Sequence, residues 1–222
     1  MCFSASADFV GSAVLGAVGV ATLAEVKDRR ELLLAAVPGL FAIHEFIEGF
    51  VWLGLDGHLS QQVAHNAGAA FVLYAQGILP FLLPFSVFLI EPTKRQRRRM
   101  LGFVILGGLL ALYLAWGLIA YPLQISEQSH SILYVNIITN TTLVAVLYVT
   151  ATCGSLFFSG FRPLVELAWA NLVGLLVVMM VKRYAFTSVW CAYAAVVSVI
   201  IYFFFRRTRT HRLAKYALAH SF

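Results

Sequence analysis

The sequence predicts an all-α integral membrane protein with about seven transmembrane helices. The first observation is composition, because 61% of the 222 residues are hydrophobic and only 12% are charged, whereas about a quarter of a typical soluble domain is charged. The second is spacing, since apolar runs of about 20 residues, long enough to cross a bilayer, recur between short polar blocks. The third is the concentration of basic residues in those blocks, which is typical of the cytoplasmic loops of multi-pass proteins.

The apolar runs divide one transmembrane domain, residues 1–222, into seven predicted helices and a basic tail. The helices are expected at about 7–24, 31–55, 67–90, 101–121, 131–158, 163–181 and 186–205, and the tail at 206–222. Pro80 and Pro84 fall inside the third helix, and each removes a backbone hydrogen-bond donor. We therefore expect a kink or a break there, with the freed backbone groups bonded by neighbouring helices.

The basic residues also predict how the chain is oriented. Apart from Lys182 and Arg183, every Lys and Arg lies in the tail or in the loops after the first, third and fifth predicted helices. The positive-inside rule places these blocks in the cytoplasm, so we expect the N-terminus outside the plasma (inner) membrane and the C-terminus inside the cell. The bilayer, as the main partner, accounts for the net charge of +6, and we expect no nucleic-acid partner.

Three ionisable side chains, His44, Glu45 and Glu48, lie within the second predicted helix. An ionisable group inside a bilayer costs roughly 2.5–3.5 kcal/mol on insertion scales, so each of them requires a structural or functional reason. His44 and Glu48 are four residues apart and Glu45 and Glu48 three apart, so all three cover one side of the helix. Trp52 continues this stripe by one more turn. The four residues are therefore candidate ligand-binding residues near the middle and outer half of the membrane.

Polar side chains on other predicted helices lie at compatible depths. Together with the second helix they are expected to line a cavity that opens to the outside, and the further candidate ligand-binding residues are Gln76, Asn136 and Asn140. Gln76 belongs to the third predicted helix, and the two asparagines, four residues apart, belong to the fifth. The external segment 2–8 is short and could fold over the cavity as a plug.

Three interpretations of the polar side chains remain open. They could hold the helices together by hydrogen bonds, although such bonds contribute only about 0.6 kcal/mol on average in a membrane. They could bind, sense or transport a small polar ligand or an ion, which two carboxylates, a histidine and aromatic walls favour. They could also belong to a metal-dependent membrane hydrolase, the alternative to binding. We favour binding.

The metal interpretation has a specific weakness in this sequence. His44 and Glu48 have a spacing compatible with metal ligands, but zinc sites usually have three protein ligands, commonly with more than one histidine. The pattern His-Glu-x-x-Glu also differs from the His-Glu-x-x-His of metalloproteases. We therefore assign no metal ligand, no cofactor and no catalytic residue from the sequence.

Two stretches resemble a family of bacterial multi-pass membrane proteins of unknown function. The first is the opening Met-Cys-Phe-Ser-Ala-Ser-Ala, which precedes a helix rich in Gly and Ala, and the second is Phe-Ala-Ile-His-Glu-Phe-Ile-Glu-Gly-Phe-Val-Trp-Leu at 41–53. The resemblance extends over most of the chain. It implies a bacterial membrane protein and points to Cys2, Ser4, Glu48 and Trp52, but it supplies no activity.

Overall fold

The computed structural model describes residues 4–128, 131–139, 141–181 and 193–207, with only the backbone for 177–181. The described chain is mostly helical, as predicted. Its α-helices are α1 (Ala5–Ala24), α2 (Leu32–Leu55), α3 (Gln61–Val72), α4 (Leu79–Ile90), α5 (Lys94–Ala120), α6 (Thr142–Phe157), α7 (Arg162–Val181) and α8 (193–207). A 3₁₀ turn, Arg29–Glu31, precedes α2, and a π-helical segment, Leu73–Ile78, joins α3 to α4.

Four helical segments are long and apolar enough to cross a membrane: Ala5–Ala24, Arg29–Leu55, Gln61–Ile90 and Lys94–Ala120. Large apolar side chains cover the outward faces of these segments. On α5, for example, Ile119 is 88% exposed and Leu112 is 72% exposed. Such surfaces are unfavourable in water but natural against lipid tails. The length and apolar surface of these four helices are those expected of membrane spans, and α6 is a shorter apolar helix of 16 residues.

Helices α1 and α2 form a closely packed antiparallel pair. Near one end, a Cβ atom added to Gly19 would lie 2.7 Å from the backbone nitrogen of Gly39, so the two backbones nearly touch. Further along the pair, the Ser12 hydroxyl donates to the carbonyl of Ala42 at 2.8 Å. Small residues permit this close approach, as is common between membrane helices. The contact fixes which residues of α1 face the polar side chains of α2.

The third predicted helix is interrupted one turn before its first proline. The π-helical segment 73–78 widens the helix there, and the Tyr148 hydroxyl of α6 donates to the Ala75 carbonyl at 2.8 Å. Pro80 then lies in the first turn of α4, where a missing N–H is tolerated. Pro84 remains inside α4. The irregularity that we expected from the two prolines is therefore a π-helical turn just ahead of Pro80.

The prediction of a helix over 131–158 is wrong for residues 132–139. Strand β1 (Gln124–Glu127) pairs antiparallel with strand β2 (Ile132–Val135), with Gln124 opposite Val135. Burial alternates along β2, so Ile132 and Tyr134 face the interior. Helix α6 begins only after Thr141, whose hydroxyl accepts a hydrogen bond from the backbone N–H of Val144. A hairpin therefore covers one end of the bundle where we expected a continuous helix.

Candidate functional site

Three carboxylates from two helices meet in the interior of the bundle. Asp8 of α1 and Glu45 and Glu48 of α2 are fully buried. Each contributes an oxygen atom to a group in which all three atoms lie within 4.8 Å of one another. We call these three residues the carboxylate cluster. The sequence predicted two of its members on one face of α2, and the antiparallel packing of α1 supplies the third.

Local structure positions Asp8 against α2. The Ser4 side chain caps the start of α1 by accepting a hydrogen bond from the backbone N–H of Ala7, so that Asp8 lies about one helical turn inside the helix. The ring of the next residue, Phe9, packs on Gly49 so closely that a Cβ atom there would lie 2.7 Å from it. Because Gly49 directly follows Glu48 in α2, this contact brings Asp8 to the level of the glutamates.

Aromatic rings form a wall beside the carboxylate cluster. The ring of His44 stacks on Phe71 at 3.9 Å between centroids, and Phe71 in turn stacks on Tyr134 of β2 at 4.8 Å. The Tyr134 hydroxyl donates to Glu48 Oε1 at 3.5 Å. The hairpin therefore reaches the cluster through one side chain, which adds a fourth oxygen atom next to Glu48.

Several predicted site residues have buried polar atoms without a hydrogen-bond partner among the described residues. These atoms are Nδ1 of His44, Nε1 of Trp52 and Oε1 of Gln76. A buried polar atom without a partner costs about 1–3 kcal/mol, so a polar ligand beside them would be favourable. His44, Glu48 and Trp52 share one face of α2, as predicted from their spacing. Gln76 lies in the π-helical segment, two residues after Tyr74, whose ring is 4.8 Å from that of His44.

Asn136 was predicted to lie in a helix but lies in the loop after β2. Both the nitrogen and the oxygen of its side-chain amide form hydrogen bonds with backbone groups. Its Nδ2 donates to the carbonyls of Gly117 and Tyr121 at 3.3 and 3.1 Å. Its Oδ1 accepts from the N–H groups of Ile138 and Thr139 at 3.0 and 3.3 Å. This arrangement ties the end of α5 to the turn before α6. A ligand-binding role for Asn136 stays a prediction.

Two residues that the sequence singled out, Asn140 and Cys2, lie outside the described residues. Ser4, to which the family resemblance pointed, acts in the structure as the N-terminal cap of α1. The remaining candidates on α2, His44 and Trp52, are buried beside the carboxylate cluster.

A family model matches residues 1–216. The chain belongs to DUF6629, a family of unknown function. All residues of the carboxylate cluster and its aromatic wall lie within the matched part of this DUF6629 chain. The resemblance read from the sequence is confirmed to this extent. Comparisons with curated proteins and with solved structures found no match.

Asp8 is the site residue of the DUF6629 chain that sequence reasoning missed. In the sequence, Asp8 lies where the external segment 2–8 meets the first predicted helix, and it begins the apolar run rather than interrupting it. A usable signal did exist: a short connection between two long helices makes them antiparallel neighbours. The start of α1 must then lie at the depth reached by the second half of α2, where Glu45 and Glu48 are found.

The charges of the carboxylate cluster determine what it can do chemically. Two like unit charges about 4 Å apart repel by roughly 4 kcal/mol at an effective dielectric constant of 20, so three buried carboxylates this close need positive charge among them. A cation or bound protons can supply it. Carboxylate and hydroxyl oxygens are the ligands that Mg²⁺, Ca²⁺ and Mn²⁺ prefer. Asp8, Glu45 and Glu48 are therefore the residues of the described chain best placed to hold such an ion.

Proposed function

We propose that this chain is a multi-pass protein of the plasma membrane that binds a small cation at the carboxylate cluster and thereby senses or transports it. The observation that carries the proposal is the convergence of Asp8, Glu45 and Glu48, all fully buried, with oxygen atoms within 4.8 Å of one another. Hydrogen bonding between helices would need only one polar side chain per contact. Three acids at one point are costly unless a positive charge joins them.

The donor atoms favour a hard cation over zinc. The cluster offers three carboxylates, and the Tyr134 hydroxyl lies beside one of them. Zinc sites instead commonly include histidine or cysteine, and the ring of His44 is stacked on Phe71 beside the cluster. The alternative of a metal-dependent hydrolase gains no specific support from this arrangement. A divalent cation such as Ca²⁺, Mg²⁺ or Mn²⁺ matches it best.

The distribution of basic residues supports a cluster that communicates with the outside. If the positive blocks lie in the cytoplasm, α2 runs outward from Leu32 to Leu55. Glu48 then lies seven residues before the outer end of α2, a depth of about 10 Å at roughly 1.5 Å per residue. The hairpin of β1 and β2, with Tyr134 at the cluster, would cover the site on the outer side. An ion would therefore enter from outside past the hairpin.

Glu48→Gln is expected to weaken cation binding about tenfold or more, because it removes a charged ligand while keeping its shape; a hydrogen bond to a charged group contributes about 1.5–3 kcal/mol. Isothermal titration of purified protein in lipid nanodiscs with Ca²⁺, Mg²⁺ and Mn²⁺ measures the affinity. Glu166→Gln is the matched control, since Glu166 is 60% exposed and pairs with Arg162 at the start of α7. Equal affinity in the Glu48 variant, or no binding by the wild type at millimolar cation, would contradict the proposal.

The orientation has its own test. A reporter enzyme that is active only in the cytoplasm, fused after Phe222, is expected to be active, because the basic tail and the basic residues at the start of α5 share the cytoplasmic side in the proposed topology. A second fusion between β1 and β2 provides the control, since it should be inactive with the same reporter. If the hairpin fusion were active and the C-terminal fusion inactive, the orientation would be the reverse of the one proposed, and the cluster would lie near the cytoplasmic side.

A further inference from the structure

A second site lies at the end of the bundle where α2 begins. A cavity of about 180 Å³ opens there between the 3₁₀ turn, the junction of α4 and α5, and the rings of Phe161 and Phe204. Its charged lining comes from Asp28, Arg30 and Glu31, and its apolar wall comes from the two rings. Basic residues, including Arg97 and the pair at 206–207, also lie at this end. We call this the interfacial cavity, and it shares no residue with the carboxylate cluster.

The walls of the interfacial cavity are held in place by hydrogen bonds. Glu91, fully buried at the junction of α4 and α5, accepts from the Ser159 hydroxyl at 2.6 Å and from the Gly160 N–H at 2.8 Å. Arg97 Nε donates to the Glu91 carbonyl at 2.8 Å. The loop before α7, which carries Phe161, is thereby fixed against the junction. The cavity is therefore bounded by fixed backbone on this side and is small, with room for a headgroup rather than for a large ligand.

The two carboxylates of the charged rim are also held by hydrogen bonds. Asp28 and Glu31 form a reciprocal capping box at the 3₁₀ turn, in which the Asp28 side chain accepts from the Glu31 N–H and Glu31 Oε2 accepts from the Asp28 N–H at 3.4 Å. Asp28 Oδ1 also accepts from the Arg30 N–H at 3.0 Å, and Glu31 Oε2 from the Lys27 N–H at 3.1 Å. Three of the four consecutive residues 28–31 therefore line the cavity beside the aromatic wall, with two carboxylates and the guanidinium of Arg30. The Phe161 and Phe204 rings meet edge to face at 5.6 Å.

We propose that the interfacial cavity binds a phosphoethanolamine group, that is, a phosphate and a primary ammonium joined by a short linker. The Arg30 guanidinium matches phosphate oxygens. Asp28 and Glu31 match the three N–H donors of an ammonium. A purely anionic ligand would be repelled by the two carboxylates, and a simple cation would be repelled by Arg30. Phe161, which is half-buried, offers apolar surface to an attached acyl chain, while Phe204 is only 6% exposed.

The same group occurs in a membrane lipid headgroup and in soluble glycerophosphoethanolamine. The lipid is the source that position favours, because the cavity lies at the end of the apolar helices, where headgroups meet the protein. This inference does not depend on the carboxylate cluster or on the proposed cation. It requires only that the apolar helices lie in a membrane.

Native mass spectrometry of the full chain with defined lipids tests the proposal. Phosphatidylethanolamine is expected to bind about fivefold more tightly than phosphatidylcholine, because the trimethylammonium keeps its charge but donates no hydrogen bond; this is the effect of about one net hydrogen bond. Asp28→Asn and Glu31→Gln keep the capping acceptors and should abolish the preference. Arg30→Gln should weaken the binding of both lipids, because it removes the group that contacts the phosphate. Arg29→Gln, a neighbouring arginine outside the cavity lining, should behave as the wild type.

Competition experiments then separate the two sources. Soluble glycerophosphoethanolamine that displaces the lipid would show that the headgroup alone is recognised, whereas displacement only by the lipid would show that the acyl chain is also bound. Two results would overturn the proposal. One is equal binding of phosphatidylethanolamine, phosphatidylcholine and phosphatidylglycerol by the wild type. The other is an unchanged preference for phosphatidylethanolamine in Asp28→Asn and Glu31→Gln, together with unchanged binding of both lipids by Arg30→Gln.

Discussion

Asn136→Ala is expected to lower the free energy of unfolding by about 3 kcal/mol, because each buried backbone group left without a partner costs about 1–3 kcal/mol. The Asn136 amide donates to two carbonyls at the end of α5 and accepts from two N–H groups of the following turn. Alanine can replace none of these bonds. The hairpin should then detach from α5, and with it Tyr134 should leave Glu48.

Thermal and denaturant unfolding of the purified variant in nanodiscs measures this loss. Asn66→Ala is the control, because Asn66 is exposed and accepts one hydrogen bond from Gln62, so its replacement should change stability little. Asn136→Asp provides a second comparison, since it keeps the acceptor side but places a carboxylate against two carbonyls. A variant Asn136→Ala as stable as the wild type but weaker in cation binding would instead assign Asn136 to the ligand site.

Gly19→Ala is expected to lower the free energy of unfolding by about 1–3 kcal/mol, the usual cost of overpacking. The added Cβ atom would lie 2.7 Å from the backbone nitrogen and 2.8 Å from the Cα atom of Gly39, and backbone atoms cannot rotate out of the way. Helix α1 must therefore move away from α2. Because Asp8 reaches the glutamates only through this packing, cation affinity should fall together with stability.

Gly39→Ala, at the same contact, is the matched control. A Cβ atom on Gly39 would have no neighbouring atom within 4 Å, and alanine is a better helix former than glycine by about 0.5–1 kcal/mol. Stability should therefore be unchanged or slightly higher, with cation affinity retained. Titration calorimetry and unfolding of the two variants side by side give both readouts. Equal effects of the two substitutions would show that α1 and α2 are not packed as described.

The polar face of α2 was predictable because it depends only on the spacing of residues within one helix. His44, Glu45 and Glu48 interrupt an apolar run, and helical spacing alone determines that they share a side. The partner of this face was not predictable in the same way. Asp8 joins the glutamates through the relative register of α1 and α2, which close contacts such as that of Gly19 with Gly39 determine.

The sequence did not predict the hairpin of β1 and β2, and the reason is different. Residues 132–135 are apolar, and only Asn136 and the uncharged polar residues 139–142 separate them from the apolar part of α6. Over four residues a period of 2 cannot be separated from one of 3.6. Pairing with Gln124–Glu127 decides the outcome, and that pairing depends on tertiary structure. Asn136, whose amide hydrogen-bonds to backbone on both sides, was read as a polar residue inside a span for the same reason.

The π-helical segment makes the length of this part of the chain as important as its composition. On one side of it, Phe71 stacks on His44; on the other, Pro80 packs against Gly107 of α5. The wide turn accommodates about one residue more than a regular α-helical turn would over the same rotation, so both contacts stay on their faces. A further inserted residue would turn α4 by about 100° relative to α3, and one of the two contacts would then be lost. Insertions between Phe71 and Pro80 are therefore far less acceptable than substitutions that keep the wide turn.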